Sequence, residues 1–558
     1  MRKARVFLSV IGAVLLAWSC AQVMPITGGE KDTTPPQITE SAPKNFATNY
    51  TGGRIILEFD EYIQTKGLSQ NVVVSPPLKN EPEFISKTKR VVMIINDTLK
   101  PNTTYNINFG EGIQDFTENN PLDSNVFVFS TGDYVDSLSF SGVVKDAYTL
   151  QPVKDVLVMA YSNVADSVPT VERPSYFSKS DANGKFSINY MKEGDYRVFV
   201  LEDLNKNYLF DLPNEKIAFK DSSFSVLDSD TLAFKFFKED NAPQYIKSKK
   251  AEFFGKVSVV FNRPLSNYSP GYGGSFNILK GSVPEKAMLQ EYLADDSLYL
   301  WFPQGLEDTL VLEAFDDTGI IDTLKMTLPD KNEFLEEVEK GKQKFNLKIT
   351  PSTDGKTHEF FKPLSFTANH PLSKYSYDRV IFSVNGDTVE LDAEQAQTPP
   401  IEKLLLETNT MRTKLFYYPW KPNTKYVITF LPESFTDIFG LTNDTLEFIF
   451  ETKPIEDYGN LKLKIEPTVN SKYFYQLLIE GTTKPLDDGG FTGDTTLFYK
   501  YIKPGKYGVR LVYDTNGDGQ WTTGDYEENR QPERVIYYPE PIEIRANWDM
   551  ELQWLIED

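Results

Sequence analysis

From Thr33 onward the chain reads as short runs in which apolar and polar residues alternate, rich in Val, Ile, Phe, Tyr and Thr and broken by Asn, Asp, Gly and Pro. A period of two sends successive side chains to opposite faces of a strand, and turn residues bound each run. The pattern therefore predicts an all-β chain of sandwich modules with little helix. The last run is the plainest. Ile542, Ile544, Ala546, Trp548, Met550, Leu552 and Trp554 alternate with Glu543, Arg545, Asn547, Asp549, Glu551 and Gln553, which predicts one C-terminal strand. Only Lys331 to Lys344, KNEFLEEVEKGKQK, breaks the pattern, and its charge density predicts a linker carrying a short helix.

Internal repetition sets the organisation. Pro101-Asn102-Thr103-Thr104-Tyr105, Phe109, Asp115 and Phe127-Val128-Phe129-Ser130-Thr131 return as Pro422-Asn423-Thr424-Lys425-Tyr426, Phe430, Asp437 and Phe448-Ile449-Phe450-Glu451-Thr452; the offset is 321 at both ends (422 − 101 and 452 − 131). Downstream, Gly194-Asp195-Tyr196 with Asp203 to Asn207 returns as Gly505-Lys506-Tyr507 with Asp514 to Asp518, 311 residues on (505 − 194). A two-module unit thus occurs twice. Between the copies, Val257 to Leu265 is similar to the Ser365 to Leu372 stretch that opens the later one. The resulting division is a leader at 1–19, a linker at 20–34, modules at 35–133, 137–237 and 245–330, the charged linker at 331–344, and modules at 345–455 and 457–558.

Charge narrows the partners. Against 58 basic residues stand 80 acidic ones, a net of −22, which disfavours nucleic acid and bare anionic membrane and leaves cations, glycans and proteins. Cys20 is the only cysteine, so no disulfide can form within the chain, and two histidines, His358 and His370, offer little for a zinc site. The chain carries no HExxH, GxSxG or GxxxxGK[ST] motif, and the expectation is a protein without enzymatic activity or organic cofactor.

One loop has the spacing of a cation site. Asp514, Asn516, Asp518, Gly519, Gln520, Thr522 and Asp525 occupy positions one, three, five, six, seven, nine and twelve of an EF-hand-like loop, where alternating oxygens turn inward and glycine permits the bend. Structural Ca2+ is one reading; a hairpin tip built of turn-forming residues is the other. The earlier copy, Asp203, Asn205, Asn207 and Asp211, has Tyr208 in place of the glycine and a lower charge. Tyr268, Tyr272 and Phe276 lie in a glycine-rich segment and are candidate ligand contacts, whereas Phe416 to Trp420 reads as packing.

Several resemblances accompany these patterns. Arg2, Lys3 and Arg5, the apolar run Val6 to Ala17 and Ala17-Trp18-Ser19-Cys20 look like a bacterial lipoprotein signal, which implies cleavage before Cys20 and acylation of it. Thr27 to Pro36, Phe59-Asp60-Glu61-Tyr62-Ile63 and Ser75-Pro76-Pro77-Leu78 resemble Bacteroidota lipoproteins that open with a bacterial Ig-like domain of the S-layer-protein type. Gly142-Val143-Val144 and Asp181 to Phe186 are similar to carboxypeptidase-regulatory or collagen-adhesin sandwiches. Thr33, Thr98, Ser137, Thr231, Thr309, Thr323 and Thr445 each follow Asp in a pattern that resembles the O-glycosylation acceptor of that phylum; the same pattern also suits a turn leading into a strand. Together the resemblances imply an outer-membrane lipoprotein, anchored by its lipid on the periplasmic or the surface face. Its expected role is a scaffold or binding subunit with protein partners in the envelope, accessory to outer-membrane protein assembly or export. The alternative is a surface glycan-binding protein or adhesin.

Overall fold

The computed structural model describes residues 32–557 apart from 123–125, 228–230, 241–242, 266–275, 281–287, 295, 305–308, 317–318, 390–410 and 483. Strands dominate as the alternation requires. Among the described residues the α-helices are Leu68–Asn71, Val168–Val171 and Lys331–Glu339. The chain divides into two compact units: one takes the residues up to Asp240 together with Thr522–Arg534, the other Asn241–Trp521 and Val535–Asp558.

The first unit opens with two antiparallel sheets. One runs Ile38–Ala42, Gly53–Phe59, Arg90–Ile95, Glu83–Lys87, and the other Val73–Ser75, Thr104–Asn108, Val126–Ser130. Alternate residues of each, such as Ile55, Leu57, Val91 and Met93 from the first and Tyr105, Ile107, Phe127 and Phe129 from the second, meet in one hydrophobic cluster. A second cluster belongs to strands ordered Tyr176–Lys179, Leu157–Tyr161, Asp195–Leu201, Lys216–Phe219, Leu232–Lys238, Leu138–Asp146, Lys185–Met191, of which Leu138–Asp146 and Leu232–Lys238 pair in parallel.

The second unit holds three further clusters, drawn from residues 246–328, 347–450 and 461–556. The repeats seen in the sequence reappear as repeated contacts. Tyr105 stacks on Phe129 at 5.2 Å and Tyr426 on Phe450 at 5.5 Å, while the Lys100 and Lys421 N–H groups donate to the two tyrosine hydroxyls at 2.9 and 2.7 Å. Likewise Tyr196 and Tyr507 donate to the Lys192 and Lys503 carbonyls, and Gly459–Pro467 pairs in parallel with Asp549–Ile556.

The charged segment does contain a helix, Lys331–Glu339. The Asp330 side chain caps it by accepting from the Glu333 N–H at 2.9 Å, which satisfies one of the free donors of the first turn. Its Phe334 is buried among Phe253, Phe254 and Phe345, so the segment is packed and not a loose connector.

The C-terminal run is not one strand. It splits into Ile542–Ile544 and Asp549–Ile556, because Asn547 takes a left-handed φ of 53° and turns the chain between them. Trp548 is consequently 53% exposed, with Arg545 over its ring, while Trp554 and Ile556 are buried as alternation requires.

Candidate functional site

The repeated acidic turns follow strands Asp195–Leu201 and Gly505–Tyr513. In the later turn the Asp514 carboxylate accepts from the N–H groups of Gly517 at 2.7 Å and of Asp518 and Gly519 at 3.1 Å. Asn516 accepts from Asp518 N–H and donates to the Asp518 carboxylate, which in turn accepts from Gln520 N–H. Each carboxylate thereby pins the backbone around itself, as side chains that mimic turns do. The earlier turn repeats the scheme: Asp203 accepts from Asn207 and Tyr208 N–H at 3.1 and 2.9 Å, and Asn205 and Asn207 both donate to Asp211.

The closing position differs from the sequence expectation. Asp525 accepts from Glu528 N–H at 2.9 Å and lies 4.0 Å from the Arg530 guanidinium, so its charge is already answered. Thr522 and Asp525 belong to the first unit and Asp514 to Gln520 to the second. In the earlier turn a glutamate that the spacing did not single out, Glu215, closes the loop. Glu215 is buried and accepts from Leu204, Asp211 and Leu212 N–H at 3.0, 3.2 and 3.3 Å, and Glu533 accepts from Thr522 N–H at 3.0 Å. The signal was a glutamate shortly after a proline, Pro213-Asn214-Glu215. Among the described residues no three His, Cys, Asp or Glu side chains gather closely enough to hold a metal ion, so a cation at these turns would depend on the Asn side chains and backbone carbonyls.

Phe276 is not a ligand contact. It opens strand Phe276–Lys280, is buried, and packs against Phe261 at 6.0 Å, because its place in the alternation faces the core. Tyr268, Tyr272 and Cys20 lie outside the described residues. Phe416 and Trp420 are buried packing residues, as expected. Of the acceptor-like residues, Thr33, Thr98, Ser137, Thr231, Thr323 and Thr445 are exposed, and Thr309 is half-buried beside Thr327 at 3.3 Å.

The first unit is completed by Thr522–Arg534, from far along the chain. Tyr526 presents its ring to Phe199, Phe210 and Phe219 at 6.0, 5.9 and 5.6 Å, its N–H donates to Glu239 at 2.5 Å, and its hydroxyl donates to the Asp166 carbonyl. Thr523 and Gln531 donate to the Lys238 and Phe219 carbonyls at 2.7 and 3.1 Å. Burial, with the nearby Asp166 charge, pushes the Tyr526 phenol up to about 12.

Residues 32–131 match a family model described as a bacterial Ig-like domain, so a domain of that kind opens the described chain. No curated protein matches the sequence. Among solved structures, the chain is similar to the N-terminal part of the bacterial S-layer protein SbsC, with 13% identity over 37% of this chain and 44% of that one and a TM-score of 0.14. It is also similar to the Bacillus anthracis TIE protein, with 9% identity over 95% and 75% of the chains and a TM-score of 0.14. A third is the Bacteroides ovatus mixed-linkage glucan utilization locus protein SGBP-B, with 10% identity over 75% and 90% of the chains and a TM-score of 0.16. The chain spans less than half of the SbsC fragment, and TM-scores this low carry no argument about what the protein does. Among the described residues no helix is long and apolar enough to cross a membrane.

Proposed function

We propose that the protein is a non-enzymatic scaffold and binding subunit of a cell-envelope complex. In this reading five β modules are held at the outer membrane by a lipid on Cys20 and serve a machine that assembles or exports outer-membrane proteins. The observation that supports it is how successive sandwiches are tied within each unit. In the first, buried Thr104 donates to Asp136 at 2.8 Å and accepts from its N–H at 2.9 Å, and Phe177 N–H donates to the Ser75 hydroxyl at 3.0 Å. In the second, fully buried Glu291 accepts from Trp301 Nε1 at 2.7 Å and Arg412 Nε at 2.6 Å. Buried charge-assisted bonds of this kind fix orientation, since losing one partner strands the other away from water. A chain built this way suits the presentation of surfaces at fixed spacing. Calcium at the Asp514 turn, held by oxygens of Asp514, Asn516, Asp518 and the Gln520 carbonyl, would stiffen such a scaffold further. Fatty-acid labelling and membrane fractionation of the wild type and Cys20→Ser test the anchor: label and membrane association should both vanish in the variant. Native co-purification tests the subunit role.

A further inference from the structure

A groove runs between the two sandwiches of the first unit, and the earlier acidic turn forms one wall of it. It comprises a stretch of about 560 Å³ and an adjoining one of about 280 Å³, which share Val73, Lys154, Asp155, Phe177 and Lys179. Such volumes suit a small organic ligand or a few sugar rings.

The turn wall is built against local backbone preference. Lys206 and Tyr208 hold left-handed φ values of 61° and 64°. The later copy, 311 residues on, has Gly517 and Gly519 there, with φ of 77° and 73°. Both copies use the same Asp-to-N–H hydrogen bonds, so glycine suffices for the turn. The first copy instead keeps two large side chains at positions that disfavour them, and both line the groove. Strain of this kind retained beside a cavity points to a use for the side chains.

The surroundings define the ligand. Arg173 lies over the Tyr208 ring at 5.7 Å, and Tyr208 meets Phe177 edge-on at 5.1 Å. Lys79, Lys179 and Lys206 are exposed on the same stretch and make no ion pair among the described residues. Of the acids beside them, Asp203 is bound into the turn and Asp155 lies 3.5 Å from Lys154, while Glu81 and Glu202 line the same stretch and Glu111 the adjoining one. The adjoining stretch is lined by the polar residues Asn71, Asn106, Asn108, Ser178, Ser187 and Asn189, of which Asn71 donates to the Lys66 carbonyl, Asn108 accepts from Gly110 N–H and Asn189 accepts from the Ser187 hydroxyl. Ammonium groups answer carboxylate or sulfate, amides answer vicinal hydroxyls by donating and accepting at once, and an aromatic face covers a sugar ring.

We propose that this groove binds an acidic oligosaccharide, with Lys79, Arg173, Lys179 and Lys206 facing its anionic groups and Tyr208 facing a ring. The test is calorimetric titration of the full chain with tetramers of galacturonate, hyaluronan and heparin, and with maltotetraose as the neutral control. At least one acidic tetramer should bind at least tenfold more tightly than maltotetraose, and more weakly as salt is raised. Lys206→Gly/Tyr208→Gly installs the glycines of the other copy, so the turn stays formed while affinity falls at least tenfold. Lys79→Gln/Lys179→Gln, at two exposed positions, should lower affinity and flatten the salt dependence. Failure of all three acidic tetramers to bind, or binding unchanged in both variants, would overturn the assignment; neither result touches the scaffold reading.

Discussion

Tyr526→Ala should loosen strands that precede it by about three hundred residues. The ring meets Phe199, Phe210 and Phe219 edge-on and is partly buried. Removing about 100 Å² of apolar contact at ~25 cal/mol per Å² costs about 2.5 kcal/mol. Edge-to-face pairs add about 0.5–1.5 kcal/mol each where they are dry, an amount to be discounted for the exposed side of the ring. The expected cost is about 2–4 kcal/mol, in the range of large-to-small substitutions. Hydrogen exchange reads it directly: amides of Asp195–Leu201 and Lys216–Phe219 should exchange at least about tenfold faster, since about 1.4 kcal/mol is one decade. Tyr526→Phe loses only the hydroxyl bond to the Asp166 carbonyl, about 1 kcal/mol. The phenol adds a pH signature. Its folded pKa, about 12, lies above the unfolded 10.0, so its contribution is complete below pH 10.0 and disappears as pH rises through about 12. Tyr526→Phe should remove that alkaline dependence. Unchanged exchange in both strands of the alanine variant would refute the packing argument.

Asp115 is buried, which raises its carboxyl, but the N–H groups of Glu118, Asn120 and Asn119 outweigh burial and hold it below the usual carboxylate range. A depressed folded pKa stabilises above the unfolded value of 3.8 and loses that contribution as pH falls through the lowered one. Asp115→Asn should therefore cost about 1–3 kcal/mol in urea melts at neutral pH and flatten their acid limb. Arg412→Ala leaves Glu291 buried without its cation and should cost about 3–5 kcal/mol, while adding Glu291→Gln should recover part of that loss in a double-mutant cycle. Calcium binding at the Asp514 turn should raise the melting temperature at millimolar calcium, and Asp514→Ala/Asp518→Ala should abolish the rise; a wild-type melt indifferent to calcium would leave the turn purely structural.

Alternation made the sheets legible, because period-two patterning states which face is buried: Ile55 and Leu57, or Val257 and Val259, sit where it puts them. The repeats were legible because the contacts they encode, such as Tyr105 on Phe129 and Tyr426 on Phe450, need the same residues in both copies. Long-range geometry was not. Asparagine is among the residues that enter the left-handed region, but alternation alone carried the C-terminal strand straight through Asn547. Spacing within one loop pointed to Asp525, but Asp525 is engaged by the Glu528 N–H and the Arg530 guanidinium, partners that follow it in the chain and that spacing does not weigh. Phe276 looked exposed because of its glycine-rich neighbours, while its burial depends on Phe261 and on strand Leu310–Asp316 beside it. The groove is made by two modules, and its signal, Lys206 and Tyr208 in place of glycines, appears only when the two turns are compared as folded objects.

The most direct test of the central claim is purification of the tagged protein from native cell envelopes in mild detergent, followed by quantitative identification of what accompanies it. The account predicts stoichiometric recovery of an envelope protein such as a β-barrel or export component, dependent on Cys20. Recovery of the protein alone, at native concentrations and in every mild detergent tried, would contradict a subunit role and favour a stand-alone surface binder.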